Sequence, residues 1–571
     1  MSTLTSTLPP QLPTMLTYPE VPIHAVLAGA ARDYGTRVAL VHGARAISYE
    51  QLWQRARQFA FRLYENGIGA GDVVALHMPN CIEFAVAYYG ILAAGAVYTP
   101  ANPLLPAQDL AFQLNDSAAA AVVTHDVSAS TLAAVRAQTQ VRLVVHVGNR
   151  PLPQAVAFDE FIDTDSQFDQ LLSREHVDEL AHIAYTGGTT GRSKGVELTH
   201  RNVVSNIVQF AAWNHGALHR CDLVGALRFR QVGTPADWPV RLGTGAAINL
   251  TPWFHAMGCI GSLSVPFAAG VTLILHERFN AARYLADAEL YKVTALSGAP
   301  ALYAALLASP DLYTRNLNSV RNISSGAGPL PHNHIHALRQ RFPDAVIAEG
   351  YGLTEATMGV AIGPTWASGA SKPGTVGVPV FDTAIKLVDP ESGAESAVGE
   401  RGEILVRGPQ VMRGYRRRPE DNADVLQEGW LRTGDIGIFD QDGYLAIVDR
   451  SKDMLIYKGY NVYPRELEEH LVDRPDVHGA AVVGRPDDTV GEIPVAFVVP
   501  TPGHVIDPEA LKAEVNAELL PYKRLKQVFV LDALPLSDAG KVLKRVLRDR
   551  LLDSAPSWNS HRTACGGSAA T

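Results

Sequence analysis

The sequence lacks the features of disulfide-rich, nucleic-acid-binding and membrane-spanning proteins. Its four cysteines are widely spaced among 571 residues and form no CxxC pair, which argues against a disulfide framework and a structural zinc site. Acidic residues outnumber basic ones, 58 to 49, so we expect no nucleic acid as a partner. No apolar run reaches the ~20 residues that a transmembrane segment needs. Residues 1–22 have neither the basic start nor the apolar core of a secretory signal, so we expect a cytoplasmic protein.

The composition that remains is that of a globular chain with more than one domain. Apolar residues make up 47% and charged residues 19%. A single hydrophobic core stops growing at ~250–300 residues, so this length predicts a large domain with at least one smaller one. The longest apolar run, 84–98, is interrupted by Gly90 and Gly95 and is interpreted as a buried helix that leads into a strand.

Strand-like and helix-like patterns alternate in two stretches of the chain. We expect strands at 73–78, 96–99, 120–124 and 142–147, and again at 271–275, 293–296, 320–323 and 345–348, with helices between them. This alternation is typical of crossover units and predicts a parallel sheet, hence an α/β fold class.

The pattern changes after Pro379. Alternating strands at 385–388, 402–406 and 444–449, with an Asp442-Gly443 turn, predict a small antiparallel β-barrel. From residue 450 onward, two helices and three strands predict a separate α+β module. The predicted organisation is an extension at 1–24, an N-terminal domain at 25–449 with its β-rich part at about 380–449, a linker at 450–453, a C-terminal domain at 454–552 and a disordered tail at 553–571.

Residues 220–245 fit neither scheme. The segment mixes Arg228, Arg230 and Arg241 with glycine, proline and Trp238. Long loops of this kind are functional lids or insertions, and a solvated loop is our expectation here.

The densest motif, YTGGTTGRSKG, runs from Tyr185 to Gly195. Its glycines allow backbone N–H groups to approach phosphate oxygens, its threonines donate hydrogen bonds, and Lys194 supplies a positive charge. Because no glycine directly precedes Lys194, the motif is not an ordinary P-loop. A flexible surface turn is the structural alternative.

A second motif, EGYGLTE at 349–355, follows the strand expected at 345–348. Loops at the carboxyl ends of parallel strands are where such sheets bind ligands. The Tyr351 ring can stack on a base, and Glu355 is a hard oxygen ligand suited to Mg²⁺ carried by a nucleotide.

Four further segments accompany these two motifs: SSGAGP at 324–329, WLRTGD at 430–435, YKGYNVYP at 457–464 and PLSDAGK at 535–541. Together the six resemble the adenylate-forming superfamily of acyl- and aryl-CoA synthetases, peptide-synthetase adenylation domains and beetle luciferases. The resemblance covers roughly residues 25 to 550 and keeps the order of the motifs. Within the superfamily, the TGGTTG form looks like that of bacterial medium- and long-chain fatty acid–CoA ligases.

The resemblance implies an AMP-forming acid–thiol ligase with a mobile C-terminal domain. A small carboxylic acid attacks the α-phosphorus of ATP to give acyl-AMP and pyrophosphate, and CoA then takes the acyl group. Joining two anions needs positive charge more than acid–base help. Lys541 matches the catalytic lysine, Lys458 and Gly459 match the segment that guides the thiol, and Lys452 falls on the hinge. The structural alternatives are basic residues on a solvated face and an ordinary exposed lysine.

The resemblance also assigns the ligand sites. Glu355 and Thr186 are implied for Mg²⁺. The implied ATP- and AMP-binding residues are Thr186, Gly187, Gly188, Thr189, Thr190, Gly191, Lys194, Gly326, Ala327, Gly328, Glu349, Gly350, Tyr351, Gly352, Thr354, Asp435, Ile447 and Arg450. For Asp435 and the glycines of 326–328, a plain turn is the structural alternative.

The implied acyl pocket contains Trp253, Phe254, His255, Ser297, Gly298, Ala299 and Ser325. Amino-acid-activating relatives usually carry an aspartate near residue 255, whereas no acid occurs here between Asp237 and Glu277. An uncharged acyl or aryl tail is therefore expected, although His255 could also be a core residue with a satisfied ring.

Two departures from the commonest superfamily pattern bear on the substrate. Gly187 stands where many members have serine, and Ser193 where proline is usual. The favoured function is a fatty acid–CoA ligase. The alternatives are an aryl acid–CoA ligase, a ligase that loads a carrier-protein thiol and, more distantly, a non-catalytic ATP or acyl sensor. The sequence leaves a homodimer open.

Overall fold

The computed structural model describes residues 8–9, 11–150, 152–166, 177–186, 193–222, 225–326, 328–390, 392–450, 453–458, 460–487, 489–537 and 541–553. The chain divides into two compact units, Met1–Ile447 and Val448–Thr571. The predicted α/β class, with a parallel-sheet N-terminal domain and a separate C-terminal domain, is confirmed.

Two large sheets, mostly parallel, form the framework of the first unit. Both sheets contain strands that were not predicted. Some are parallel, such as Val38–His42 and Ala246–Asn249, and others are antiparallel strands near the edges, such as Ala361–Ile362 and Gly414–Tyr415. One sheet has the order Gly414–Tyr415, Lys194–Thr199, Leu180–Thr186, Val97–Ala101, Val73–His77, Ala119–His125, Leu143–Val147, Val156–Ala157. The other has the order Val378–Pro379, Ala361–Ile362, Val346–Tyr351, Asn322–Ser325, Ala295–Gly298, Ala246–Asn249, Thr272–Leu275, Val38–His42, Arg45–Ser48.

Helices connect and cover these sheets. Tyr49–Glu65 begins at a capping box, in which Ser48 and Gln51 satisfy each other's backbone N–H groups. The other helices of the first unit are Ala25–Tyr34, Ile82–Ala93, Ala107–Ser117, Ala129–Val135, Phe158–Ile162, His200–His215, Val265–Ala268, Ala281–Leu290, Pro300–Leu307, Asp311–Thr314, His332–Arg341 and Pro419–Val425, with a π-helix at Met257–Ser264.

The apolar run is a core helix that leads into a strand, as predicted. Every residue of Ile82–Ala93 is buried, and the strand Val97–Ala101 follows. A Cβ on Gly90 would lie 2.8 Å from the carbonyl oxygen of Ala56, so glycine permits the close helix contact. Among the described residues, no helix is both long and apolar enough to cross a membrane.

An antiparallel sheet forms the β-rich part of the first unit. The Asp442-Gly443 turn is present, with Gly443 in the left-handed region at φ +80°. The strands are Ala384–Val388, Arg401–Arg407, Trp430–Phe439 and Leu426–Gln427 in that order, with Leu445–Arg450 paired to Trp430–Phe439.

The second unit is the predicted α+β module. Its core packs the helices Pro464–Val472, Pro508–Glu518 and Lys544–Asp553 on one sheet. The sheet has the order Tyr460–Val462, Leu455–Tyr457, Gly491–Pro500, Val477–Asp487, with Gln527–Val530 parallel to Gly491–Pro500.

The expectation of a solvated loop at 220–245 is wrong. Ala217–Cys221 and Leu227–Gln231 pair as an antiparallel hairpin. Trp238 is buried and donates its ring N–H to the carbonyl oxygen of Trp213. Arg228 is paired with Asp33 of the first helix. Apolar residues between the arginines therefore pack into the core, and the segment is not a solvated loop.

Candidate active site

Three predicted residues align at the carboxyl ends of three neighbouring parallel strands. Gly298 is in register with Ser325, and Ser325 is in register with Glu349. Ser324 donates a hydrogen bond to Ser297 across the same edge at 2.8 Å. The acyl-pocket and nucleotide motifs, far apart in sequence, thus meet at one edge of the second sheet, where parallel sheets bind ligands.

Glu349 holds the loop that carries the predicted adenine wall. Its Oε2 accepts the backbone N–H of Leu330 at 2.9 Å. A Cβ on Gly326 would lie 3.4 Å from Met257 Cε, and one on Gly328 would lie 3.7 Å from a Pro300 ring carbon. Both glycines border protein atoms of the acyl side, while Ala327 lies outside the described residues.

Tyr351 and Asp435 form the best-defined polar pair of the site. The Tyr351 hydroxyl donates to Asp435 Oδ2 at 2.6 Å, and Asp435 is 7% exposed. The backbone around the pair is tight, because a Cβ on Gly352 would lie 1.7 Å from the carbonyl oxygen of Met358. Gly350 pairs with Ile362 in the sheet. A buried carboxylate next to a tyrosine ring suits a ribose and its base.

Glu355 follows in a short 3₁₀ helix, Thr354–Ala356, and meets a tyrosine that sequence reasoning missed. The Tyr415 hydroxyl donates to Glu355 Oε1 at 2.8 Å. Burial, and next the negative charge of Glu355, raise the pKa of Tyr415 far above its usual range. Tyr415 therefore stays a neutral hydrogen-bond donor that orients the carboxylate.

Thr186 and Lys194 face each other in register at the mouth of the glycine-rich loop. Lys194 is paired with Asp421, and its ammonium lies 5.1 Å from the centroid of the Tyr415 ring. Glu355 and Lys194 therefore contact the same tyrosine. Gly187, Gly188, Thr189, Thr190 and Gly191 lie outside the described residues.

The donor set fits a Mg²⁺ ion that arrives with a nucleotide. Among the described residues, no group of three or more histidine, cysteine or acidic side chains could hold a metal ion by itself. Mg²⁺ usually keeps several waters and binds through one or two carboxylates plus substrate phosphates. Glu355, with Thr186 near Lys194, matches that requirement.

A π-helix at Met257–Ser264 shapes the acyl side and was not foreseen in the sequence. It starts where a Cβ on Gly258 would lie 1.9 Å from the carbonyl oxygen of Pro252, so glycine is required there. The preceding turn is fixed by Asn80, whose side-chain oxygen accepts the Trp253 N–H at 2.8 Å. π-Helical turns are frequent at functional sites.

The acyl-side residues differ in exposure. Trp253 is fully buried, whereas Phe254 and His255 are half-buried with their ring centroids 4.6 Å apart. Ser325 Oγ is buried and has no hydrogen-bond partner among the described residues. Ala299 precedes the helix Pro300–Leu307. Half-buried aromatics and an orphaned hydroxyl at a strand end are suited to a bound ligand.

The described lysines among the predicted residues of the second unit are exposed. Lys541 is exposed; its N–H donates to Ser537 Oγ at 3.1 Å. Lys458 is exposed and adopts the left-handed region, at φ +51°. Lys452 and Gly459 lie outside the described residues, and Arg450 ends the strand Leu445–Arg450.

Ile447 closes the first unit and packs on its core. The residues that sequence reasoning missed are Tyr415, Asp421 and Asn80; Asn80 follows the predicted strand 73–78, and that strand-end position was the one available signal. The side chains of Tyr415 and Asp421 reach the site through tertiary contacts, so no local signal marks them.

Comparison with known proteins places this site in a family. The AMP-binding enzyme family model matches residues 27–416, and that of the AMP-binding enzyme C-terminal domain matches 466–541. The chain is 32% identical to a long-chain-fatty-acid–CoA ligase of Bacillus subtilis, over 94% of this chain and 96% of the relative. It is also 32% identical to 4-coumarate–CoA ligase 2 of Solanum tuberosum, over 95% and 96%. The crystal structure of the anthranilate CoA ligase AuaEII with anthranoyl-AMP superposes with a TM-score of 0.82 at 26% identity, over 95% and 99%.

Proposed function

Because the chain belongs to the AMP-binding enzyme family and is an acid–thiol ligase of the ATP-dependent, AMP-forming type, we propose that its acid is a medium- or long-chain fatty acid and its thiol is CoA. We further propose that it acts in the cytoplasm with Mg²⁺ bound to the nucleotide. The carboxylate attacks the α-phosphorus of ATP, pyrophosphate leaves, and the thiol then displaces AMP from the acyl carbon.

The observation that carries the substrate proposal is the absence of charge along the acyl side. Residues 242–276 contain no Asp, Glu, Lys or Arg, and they include the turn and the π-helix that border the site. A charged or zwitterionic acid would lose its hydration here without gaining an ion pair, which is costly. An apolar tail has no polar hydration to lose on entering the site.

Two methionines and two glycines give this side its shape. Gly326 lies against Met257, and a Cβ on Gly261 would lie 3.3 Å from Met358 Sδ. Methionine side chains are flexible and fill irregular apolar gaps, so they can move aside for a chain. We propose that the tail enters along this face, with its carboxylate near Ser325.

The contacts within the first unit support a set of nucleotide-binding roles. We propose that Asp435, oriented by Tyr351, accepts the ribose hydroxyls, that Arg450 supports the same ribose and phosphate, and that Gly326–Gly328 flank the adenine. Lys194 neutralises charge on the phosphates, the glycine-rich loop donates hydrogen bonds to them, and Glu355 with Thr186 binds Mg²⁺. Mg²⁺ supplies charge neutralisation of the phosphates when it is bound.

We propose that the second unit serves the two half-reactions in turn, by rotating at 450–453 about Lys452. In one position Lys541 places its ammonium beside the carboxylate and the α-phosphate, which lowers the repulsion between the two anions. In the other, Lys458 and Gly459 guide the thiol of CoA. Domain closure about a few linker residues is a common device of this kind.

The test is pyrophosphate release with a panel of acids, with and without CoA. We expect hexadecanoate and decanoate to exceed 4-coumarate and anthranilate in kcat/KM by about tenfold or more, the discrimination that apolar pockets achieve. An aryl acid–CoA ligase is the second candidate, because 4-coumarate–CoA ligases match as well as the fatty-acid enzyme does. A preference for 4-coumarate would contradict the fatty-acid proposal and support that alternative.

A further inference from the structure

Asp421 contacts Lys194, the cation of the glycine-rich motif. The Lys194 ammonium is paired with Asp421 Oδ1, and both side chains are about one-third exposed, at 36% and 33%. The same ammonium lies over the Tyr415 ring at 5.1 Å. Lys194 is thus held from two directions, by a carboxylate and by an aromatic face.

The backbone fixes this contact from both ends. Lys194 begins a strand that pairs with Gly414–Tyr415, and the Arg416 N–H donates to the carbonyl oxygen of Gly195 at 2.8 Å. Asn422, the neighbour of Asp421, accepts the Tyr415 N–H at 2.6 Å and donates to its carbonyl oxygen at 2.9 Å. The helix turn that carries Asp421 is therefore tied to the strand beside Lys194.

The position of Tyr415 relates Lys194 to the phosphates of a bound nucleotide. Tyr415 contacts Lys194 with its ring and Glu355 with its hydroxyl, so the two charged side chains flank one residue. Glu355 is the proposed Mg²⁺ ligand, and Mg²⁺ would neutralise charge on the phosphates of a bound nucleotide. Lys194, which contacts the same tyrosine, would then face those phosphates.

We propose that Asp421 is a positioning residue that acts as the resident counter-ion of Lys194, holding its ammonium while the site is empty and exchanging it with the β- and γ-phosphates of ATP. This inference rests on the proposed phosphate-binding role of Lys194. The Asp421 carboxylate and the incoming phosphates both attract the same ammonium, so the phosphates compete with Asp421 for Lys194. The same competition favours release of pyrophosphate after adenylation, because Asp421 takes Lys194 back.

The test measures nucleotide affinity without turnover, by titrating the full-length protein with MgATP, pyrophosphate and AMP in the absence of acid. In Asp421→Asn, which keeps the shape of the side chain and removes its charge, we expect MgATP and pyrophosphate to bind about threefold more tightly, a size typical of a partly exposed ion pair. AMP lacks the β- and γ-phosphates, so its affinity should stay unchanged.

Two controls separate the effect of the Asp421–Lys194 contact from that of net charge and from that of misfolding. Glu420→Gln removes one negative charge from the adjacent exposed position and should leave all three affinities unchanged. In a Lys194→Ala background, Asp421→Asn should have no further effect, because its action passes through Lys194. Asp421→Ser provides a second neutral variant if the asparagine variant folds poorly.

The proposal is overturned if Asp421→Asn weakens MgATP binding or leaves it unchanged, if AMP affinity rises equally, or if the effect persists without Lys194. The titration is independent of the reaction. If Asp421→Asn does not change the affinity for MgATP while thioester formation is normal, the counter-ion role of Asp421 is refuted. If the affinity changes as expected but the protein activates no acid, only the proposed function is refuted.

Discussion

The nucleotide-side residues of the first unit and the lysines of the second are held very differently. Asp435 is buried and bonded to Tyr351 at 2.6 Å, and Glu355 is bonded to Tyr415 at 2.8 Å. Lys541 and Lys458 are both exposed, and Lys458 lies on a turn. In the first unit, strand register and packing fix the geometry before any ligand arrives.

This difference in burial and hydrogen bonding is what different roles for the two units would require. A binding site gains affinity when its groups are already placed, because little ordering remains to be done on binding. The exposure of Lys541 is compatible with its proposed role, in which it reaches the reaction centre and later withdraws. The difference supports the proposal that the first unit recognises the substrates and the second supplies positive charge.

The strongest way to separate the two units is Lys541→Ala. Removal of one group that stabilises charge in the transition state typically costs about 3–4 kcal/mol, so pyrophosphate release should fall by a factor of hundreds or more. Conversion of supplied acyl-AMP and CoA to thioester should continue, since that step does not join two anions. Arg545→Ala, an exposed charge of the same unit, is the matched control. Equal loss of both half-reactions would mean that Lys541 supports the fold of the unit.

Substrate binding by the first unit is tested with the variant Asp435→Asn. A hydrogen bond to a charged acceptor contributes about 1.5–3 kcal/mol, so KM for ATP should rise by roughly ten- to a hundredfold. Tyr351→Phe keeps the carboxylate and loses only its orienting hydroxyl, so a smaller rise is expected. Steady-state kinetics with varied ATP measure both. If Asp435→Asn lowers kcat and leaves KM unchanged, the ribose assignment is wrong.

Chain-length selection probes the acyl side of the first unit. Gly261→Leu should fill the space beside Met358, because a Cβ at this position would already lie 3.3 Å from Met358 Sδ. We expect kcat/KM for hexadecanoate to fall about tenfold more than that for octanoate, within the range for apolar pocket contacts. Ser262→Ala, at the adjacent half-buried position, should change both acids equally. An equal loss with Gly261→Leu would place the tail elsewhere.

The smallest effect is expected for stability in the second unit. Lys458 adopts φ +51°, where a residue other than glycine bears a strain of about 1–2 kcal/mol. Lys458→Gly should therefore raise Tm slightly, while thioester formation from supplied acyl-AMP slows. Lys458→Ala loses the same charge and keeps the strain, so its Tm should not rise. Thermal unfolding of the full chain checks both variants.

Much of this fold could be predicted from the sequence, because periodic patterns and glycine-rich motifs are local. The strands Val73–His77 and Leu143–Val147 lie within one residue of their predicted bounds. Alternating apolar residues determine such elements, and they also place Glu349 and Ser325 at strand ends.

What could not be predicted depends on tertiary contacts. Tyr415 reaches Glu355, and Asp421 reaches Lys194, across long separations in sequence. Trp238 was misjudged for the same reason, since its partner Trp213 is distant in sequence and only the folded chain buries both. The π-helix at 257–264 arises from close packing of Gly258, which periodicity does not indicate.

The proposed attack of the carboxylate on ATP can be followed through the transfer of an oxygen atom from the acid to AMP. With decanoate labelled by ¹⁸O in both carboxylate oxygens, attack on the α-phosphorus of ATP leaves one labelled oxygen between carbon and phosphorus. Thiol attack on the carbonyl carbon then releases AMP with that oxygen. Mass spectrometry should find one ¹⁸O in the phosphate of AMP for each thioester formed, and AMP without label alongside new thioester would contradict the account.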